Sequence, residues 1–191
     1  MSLLDDILAK LDAMPTEAVD ALKAKYVENR PVWLPNVGAQ AEAYYSKADV
    51  LLYGGSGGGG KSDLGLGLAF TAHRRSLILR RRYANLSALT ERAIQINGSR
   101  NGFNGSPPPL LRATVNGIER FIQFGANQHA GDEEDWQGHP FDLKYADEAT
   151  QFLESQIRFH MGWLRSTTEG QRTRMVLGTN PPIDANGDWI V

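Results

Sequence analysis

The chain has 191 residues, 41% of them apolar and 22% charged, so one domain with an ordinary core is expected and a charge-dominated disordered chain is excluded. Twenty Lys+Arg against 22 Asp+Glu leave a formal charge of -2, which rules out a generally basic polyanion binder and confines any nucleic-acid contact to a local patch. The absence of cysteine removes disulfides, thiolate nucleophiles and cysteine-ligated zinc.

Leu3, Leu4, Ile7, Leu8, Leu11 and Met14 recur at helical spacing, Pro15-Thr16 interrupt them, and a second helical run covers Glu17 to Glu28. This predicts a helical arm over residues 1–31. The first residues lack the basic segment of a secretory leader and no apolar run is long enough to span a bilayer, so a cytoplasmic protein without membrane association is expected. Arg30 to Gly38, with Pro31 and Pro35, reads as a linker into the main domain, 32–191.

Short apolar runs follow at Val50 to Tyr53, Leu77 to Leu79, Asp142 to Ala146 and Met175 to Leu177. They alternate with helical patterns near Lys61 to His73, Ala84 to Ile96 and Thr150 to Arg165. Strand alternating with helix predicts an α/β fold with a mainly parallel sheet. Gly98 to Pro109 reads as a mobile loop. Leu111 to Ile122 is different: Asn116-Gly117 supplies the two positive-φ positions of a type I′ turn, which predicts an inserted antiparallel β-hairpin.

Gly55-Ser56-Gly57-Gly58-Gly59-Gly60-Lys61-Ser62 fits G-x-x-x-x-G-K-[ST] between an apolar strand and an apolar helix. Glycines let successive N–H groups turn onto phosphate oxygens. The helix N-terminus adds its dipole, Lys61 balances phosphate charge, and the Ser62 hydroxyl can ligate magnesium. Gly55 through Asp63 is thus the expected nucleotide cradle, and a plain strand-to-helix turn would be entropically costly with so many glycines. Asp147-Glu148, at the end of the third run, offers Asp147 for the metal and Glu148 as general base for water attacking the γ-phosphate; two solvated acids at a strand end is the competing reading. Thr179 and Asn180, after the fourth run, stand at another strand tip, where they either sense the γ-phosphate or simply form a turn.

The combination resembles the ATPase domain of the large terminase subunit, the motor that packages double-stranded DNA into tailed-phage capsids. Leu51 through Ser62, Asp135-Trp136-Gln137-Gly138, Asp147 through Phe152, Trp163-Leu164-Arg165-Ser166, Gly178 through Pro182 and Trp189-Ile190-Val191 carry the likeness. It implies a P-loop NTPase core of the additional-strand, catalytic-glutamate type, with the strand of the last motif between the two Walker strands. It implies ATP and Mg2+ as cofactors, with Lys61 and Ser62 as Walker A, Asp147 and Glu148 as Walker B, and Thr179 and Asn180 as the coupling motif. Gln40 is either the adenine-reading glutamine or an exposed helix-start residue. Arg165 and Arg158 are arginine-finger candidates or parts of a solvated helix face. The clusters Arg74-Arg75 and Arg80-Arg81-Arg82 are charged strand ends, the second with a possible DNA contact.

Double-stranded DNA, the small terminase subunit, the portal and, in a complete motor, a homo-oligomeric ring are the implied partners. The nuclease domain usual in that family has no room here and later strands of the ATPase domain are not found. The chain therefore reads as truncated, and no DNA cleavage is expected of it. Two other readings stay open: a helicase or recombinase core, and a nucleotide-binding module without turnover.

Overall fold

The computed structural model describes residues 9–28, 30–182 and 185–190. The chain divides into two compact units, 1–31 and 32–191. In the first, α1 is described over residues 9–12 and α2 spans Thr16–Glu28; the apolar positions Leu3 to Leu8 lie outside the described residues.

The second unit is a mixed α/β sandwich. Its strands are β1 Val50–Gly54, β2 Arg75–Arg80, β3 Phe103–Asn104, β4 Leu110–Val115, β5 Ile118–Ala126, β6 Leu143–Asp147 and β7 Arg174–Thr179, in one sheet of order β1-β7-β6-β2-β5-β4-β3. β1, β7, β6, β2 and β5 are parallel, and β4 and β3 extend the sheet antiparallel. The helices are α3 Ala39–Tyr45, α4 Lys61–Thr71, α5 Leu86–Asn97 and α6 Glu154–Gly162. β7, last in sequence, lies between β1 and β6, the arrangement that the family resemblance implies.

The period-2 alternation of the central strands builds two cores. Ile78, Tyr145 and Val176 pack with Leu64, Leu66, Leu68 and Phe70 of α4 and with Leu89 and Ala93 of α5. Leu77, Leu79, Ala146, Met175 and Leu177 pack on the other face with Phe152, Trp136 and Ile157 of α6. α4 is buried from Leu64 through Phe70. Burying each of its leucines is worth roughly 1.5–3 kcal/mol. Gly65 and Gly67 bring it in close: a Cβ on Gly65 would stand 2.6 Å from the Tyr145 ring, and one on Gly67 would collide with the Trp33 indole.

Several boundaries differ from the sequence expectation. The linker from Arg30 to Gly38 gives way at once to α3, and Trp33 within it is a core residue. Gly98 to Pro109 is not all loop, because Phe103–Asn104 pairs with β4, the φ of +79° at Gly102 letting the chain press against the Arg112 carbonyl. Strand β6 starts one residue later than read. Asp142 is instead a buried acceptor, taking the Arg74 and Arg75 amides at 3.2 and 3.1 Å and facing His73 Nδ1 at 3.1 Å. The run from Thr150 to Arg165 is helical only over Glu154–Gly162, after a 3-10 turn at Ala149–Gln151. The hairpin forms where expected, with φ of 51° at Asn116 and 74° at Gly117. No helix of the described residues is long and apolar enough to cross a membrane.

Candidate nucleotide site

The C-terminal tips of β1, β7, β6 and β2 stand side by side, and three sequence motifs meet there. The glycine loop leaves β1 and enters α4, with positive φ at Gly55, Gly58 and Gly60. These conformations are costly for residues with a Cβ, which is why the loop is built of glycine. Lys61 Nζ folds back to donate to the carbonyls of Gly55 (3.1 Å) and Ser56 (2.6 Å). Two tyrosines brace the loop: Tyr53 OH donates to Gly59 O (3.0 Å), and Tyr145 OH to Lys61 O (2.5 Å). Burial, and then the Asp147 charge, push the Tyr145 pKa well above its ordinary 10, so it remains a donor.

Ser62 Oγ donates to Asp147 Oδ2 at 2.8 Å, joining the loop to the end of β6. Asp147 is 2% exposed, and the same oxygen accepts from Arg80 Nε (2.9 Å) and Nη2 (2.6 Å). Arg80 Nη1 also faces Glu148 Oε1 at 3.3 Å, so one guanidinium offsets two adjacent carboxylates. Glu148 is held at φ 58°, ψ 52°, and its other oxygen accepts from Gln151 Nε2 at 2.8 Å. A left-handed non-glycine residue costs of order 1–2 kcal/mol and turns the Glu148 side chain out of the strand direction.

Thr179 joins the same end differently. Its buried hydroxyl donates to Asn180 O (2.8 Å) and lies 2.9 Å from Thr150 Oγ1, tying the tip of β7 to the turn after Glu148. Asn180 beside it is exposed. Gln40 is 4% exposed and spans Asn36 N (2.6 Å) and Gly60 O (2.8 Å), so it packs against the last loop glycine and is not the exposed helix-start residue of the alternative reading.

Other expected residues point elsewhere. Asp63 takes Arg92 Nε (2.6 Å) and Trp33 Nε1 (3.1 Å), and the Arg92 hydrogen bond lowers its pKa; its carboxylate faces α5 and not the loop cavity. Arg165 is bound to the Gly138 carbonyl, and its amide to Phe141 O, at the N-terminal end of β6, so within this chain it is at the opposite end of the sheet from Glu148. Arg158 pairs with Glu154 along α6. Arg80 and Arg81 are not free basic residues either, since Arg81 Nη1 donates to Asn127 O (2.5 Å) and Gln156 Oε1 (2.7 Å). Sequence reasoning missed Arg80, Tyr145 and Thr150 as parts of this site. Only the order of strands could have put Arg80 next to Asp147.

Ser62 and Asp147 form a small set of hard oxygen donors, the kind that suits magnesium completed by phosphate and water. Among the described residues no group of three or more His, Cys, Asp or Glu is placed to hold a metal ion.

The chain is a mixed α/β domain with a mainly parallel seven-stranded sheet, and its fold is similar to that of phage large terminases. The solved structures that it matches include the large terminase of the thermophilic bacteriophage D6E, at TM-score 0.57 and 15% identity over 78% of this chain. The same protein in complex with ATP-gamma-S matches at 0.55 and 16% over 75%, and in complex with ADP at 0.55 and 14% over 75%. The chain spans about 40% of the first of these proteins, 37% of the second and 39% of the third. No family model and no curated protein sequence matches.

Proposed function

We propose that this chain binds ATP with magnesium and hydrolyses it, as the ATPase part of a terminase-like motor that drives double-stranded DNA into phage capsids in the host cytoplasm. The observation that carries the reading is the 2.8 Å bond from Ser62 to Asp147, which unites the glycine loop with the acidic strand tip. The complexes of the D6E terminase with ATP-gamma-S and ADP support the choice of ligand. In this reading the amides of Gly55 to Gly60 cradle the β- and γ-phosphates, and Lys61 turns its ammonium from the loop carbonyls onto them. Ser62 and Asp147 would hold magnesium, which would supply charge screening for the phosphates. Glu148, released by Arg80, accepts the proton of the attacking water. Thr179 and Thr150 carry the change at the γ-phosphate position into β7. DNA, the small terminase subunit, the portal and a ring of copies are the partners of such a motor.

Calorimetry with a non-hydrolysable ATP analogue and magnesium, alongside phosphate-release kinetics, tests this. Wild type should bind saturably, and Lys61→Ala should bind at least about tenfold more weakly for loss of a charge-assisted phosphate contact. Glu148→Gln should keep the affinity and lose turnover by about two to four orders of magnitude. Wild-type turnover in Glu148→Gln would remove Glu148 as the base. Binding without any phosphate release, with or without duplex DNA, would reduce the chain to a nucleotide-binding module.

A further inference from the structure

At the far end of the sheet from the glycine loop, where β2 and β5 begin, four arginines line one open cavity of about 330 Å³: Arg74, Arg75, Arg112 and Arg120. They converge from the start of β2, the middle of β4 and the start of β5. Glu119 is the only carboxylate in the lining. None of the four is ion-paired among the described residues. The nearby Asp142 is already engaged by His73 and by the Arg74 and Arg75 amides.

Arg120 is 7% exposed. Its two terminal nitrogens donate to His73 O (2.7 Å) and Thr71 O (3.1 Å), while its Nε has no partner at all. A buried guanidinium N–H left unpaired costs on the order of 1–3 kcal/mol, and a chain that keeps one beside three further cations has a use for it. Burial and then the Arg74 charge lower the Arg120 pKa, the direction that a bound anion would reverse. Arg75 and Arg112 are fixed in place by the Phe121 ring, at 4.2 and 5.3 Å from its centroid. Arg75 Nε donates to Pro140 O (3.0 Å), and the stacking pre-orients both planar forks with their terminal N–H groups available to an oxyanion.

We propose that this arginine basin is a second anion site that takes a phosphate group, separate from the glycine loop. Its chemistry suits the phosphodiester of a nucleic acid or a free phosphate, and the two sources are separable by experiment. The proposal does not depend on the nucleotide reading, because it shares no residue with that site.

Anisotropy of a fluorescein-labelled DNA duplex and 31P NMR titration of inorganic phosphate test it. The phosphate arm is run in a Lys61→Ala background so that the glycine loop contributes nothing. The double variant Arg74→Ala/Arg112→Ala is chosen because, among the described residues, neither side chain makes a hydrogen bond or ion pair, and its thermal midpoint should stay near wild type. Duplex binding at least about tenfold weaker in the double variant, with the log–log salt slope reduced by about two, would identify a phosphodiester site. Unchanged duplex binding with phosphate binding lost would identify a free-phosphate site. Glu119→Gln, which removes the lining carboxylate, should tighten the same binding severalfold. No binding by wild type in either arm, equal binding by the double variant in both, or no tightening by Glu119→Gln overturns the proposal. ATP-analogue affinity should be the same in all of these variants save the Lys61→Ala background.

Discussion

Asp147 is a nearly fully buried carboxylate whose oxygen is shared by a serine and an arginine, so the Arg80 side chain has an energetic role even in the absence of any ligand. Removing one partner of a buried ion pair costs about 3–5 kcal/mol, because the remaining charge stays desolvated. Arg80→Ala should therefore lower stability by about 3 kcal/mol, read from urea denaturation at neutral pH. Arg80→Lys, which keeps the charge and loses the fork, should recover part of it. A loss below about 0.5 kcal/mol in Arg80→Ala would show that water already screens the pair. The residues of this cluster were unequally legible. Lys61, Ser62, Asp147 and Glu148 are singled out by motif spacing, and the structure brings the four to one end of the sheet. Arg80 was hidden by Arg81 and Arg82, with which it forms a basic run in sequence, although Arg81 points into a different polar network. Asp63 reads as the last residue of the loop, but its carboxylate turns to Arg92. One residue along a helix is a rotation of about 100°, enough to carry its carboxylate from the loop to Arg92.

Helix α4 positions the loop, and its glycines have opposing effects. Replacing a helix-interior glycine by alanine is worth up to about 1 kcal/mol in propensity, yet overpacking costs about 1–3 kcal/mol. At Gly65 the added methyl meets the Tyr145 ring at 2.6 Å, and that ring is locked by its hydroxyl on Lys61 O, so packing should win. Gly65→Ala is expected to lower stability by about 1–2 kcal/mol and to weaken ATP-analogue binding, measured by thermal denaturation and calorimetry. A raised melting temperature would mean that the tyrosine yields. At this scale the sequence was informative where one local signal sufficed. Asn116-Gly117 could only be a tight turn, and the apolar run Leu64 to Phe70 could only be a buried helix. Reading Gly98 to Pro109 as a mobile loop missed β3, whose two residues owe their conformation to pairing with β4.

The two faces of the sheet differ in their polar content, which gives the whole domain a pH response. On the α6 face, Lys144 Nζ lies 3.4 Å from His160 Nδ1, and both side chains are buried. With the Asn127 amide turned to satisfy its neighbours, its oxygen accepts from His160 Nε2 (3.2 Å) and from Glu133 N (3.0 Å). The imidazole is thus a neutral ring between a donor and an acceptor. Burial, then the Lys144 charge, take the His160 pKa from 6.5 to about 3, and burial, then Arg165, take Lys144 from 10.5 to about 8. In both cases the unfolded chain binds the proton more readily. The His160 contribution is complete above pH 6.5 and is lost as pH falls toward 3, and the Lys144 contribution grows only as pH rises from 8 to 10.5. At pH 5 the histidine should cost about 2 kcal/mol. His160→Gln should shrink the difference in urea midpoint between pH 7.5 and pH 5, and an unchanged difference would place the acid sensitivity in other groups. The parallel α/β class was readable from alternating strands and helices. The sheet order that brings the loop, the acids and Arg80 together rests on long-range packing with no local signature.

β1 carries the glycine loop and, among the described residues, pairs with β7 alone, leaving Val50 50% and Leu52 47% exposed. The glycine loop is therefore suspended from an open margin of the sheet. A free strand margin with apolar side chains is a template for another extended segment, which can dock by backbone hydrogen bonds without any change in fold.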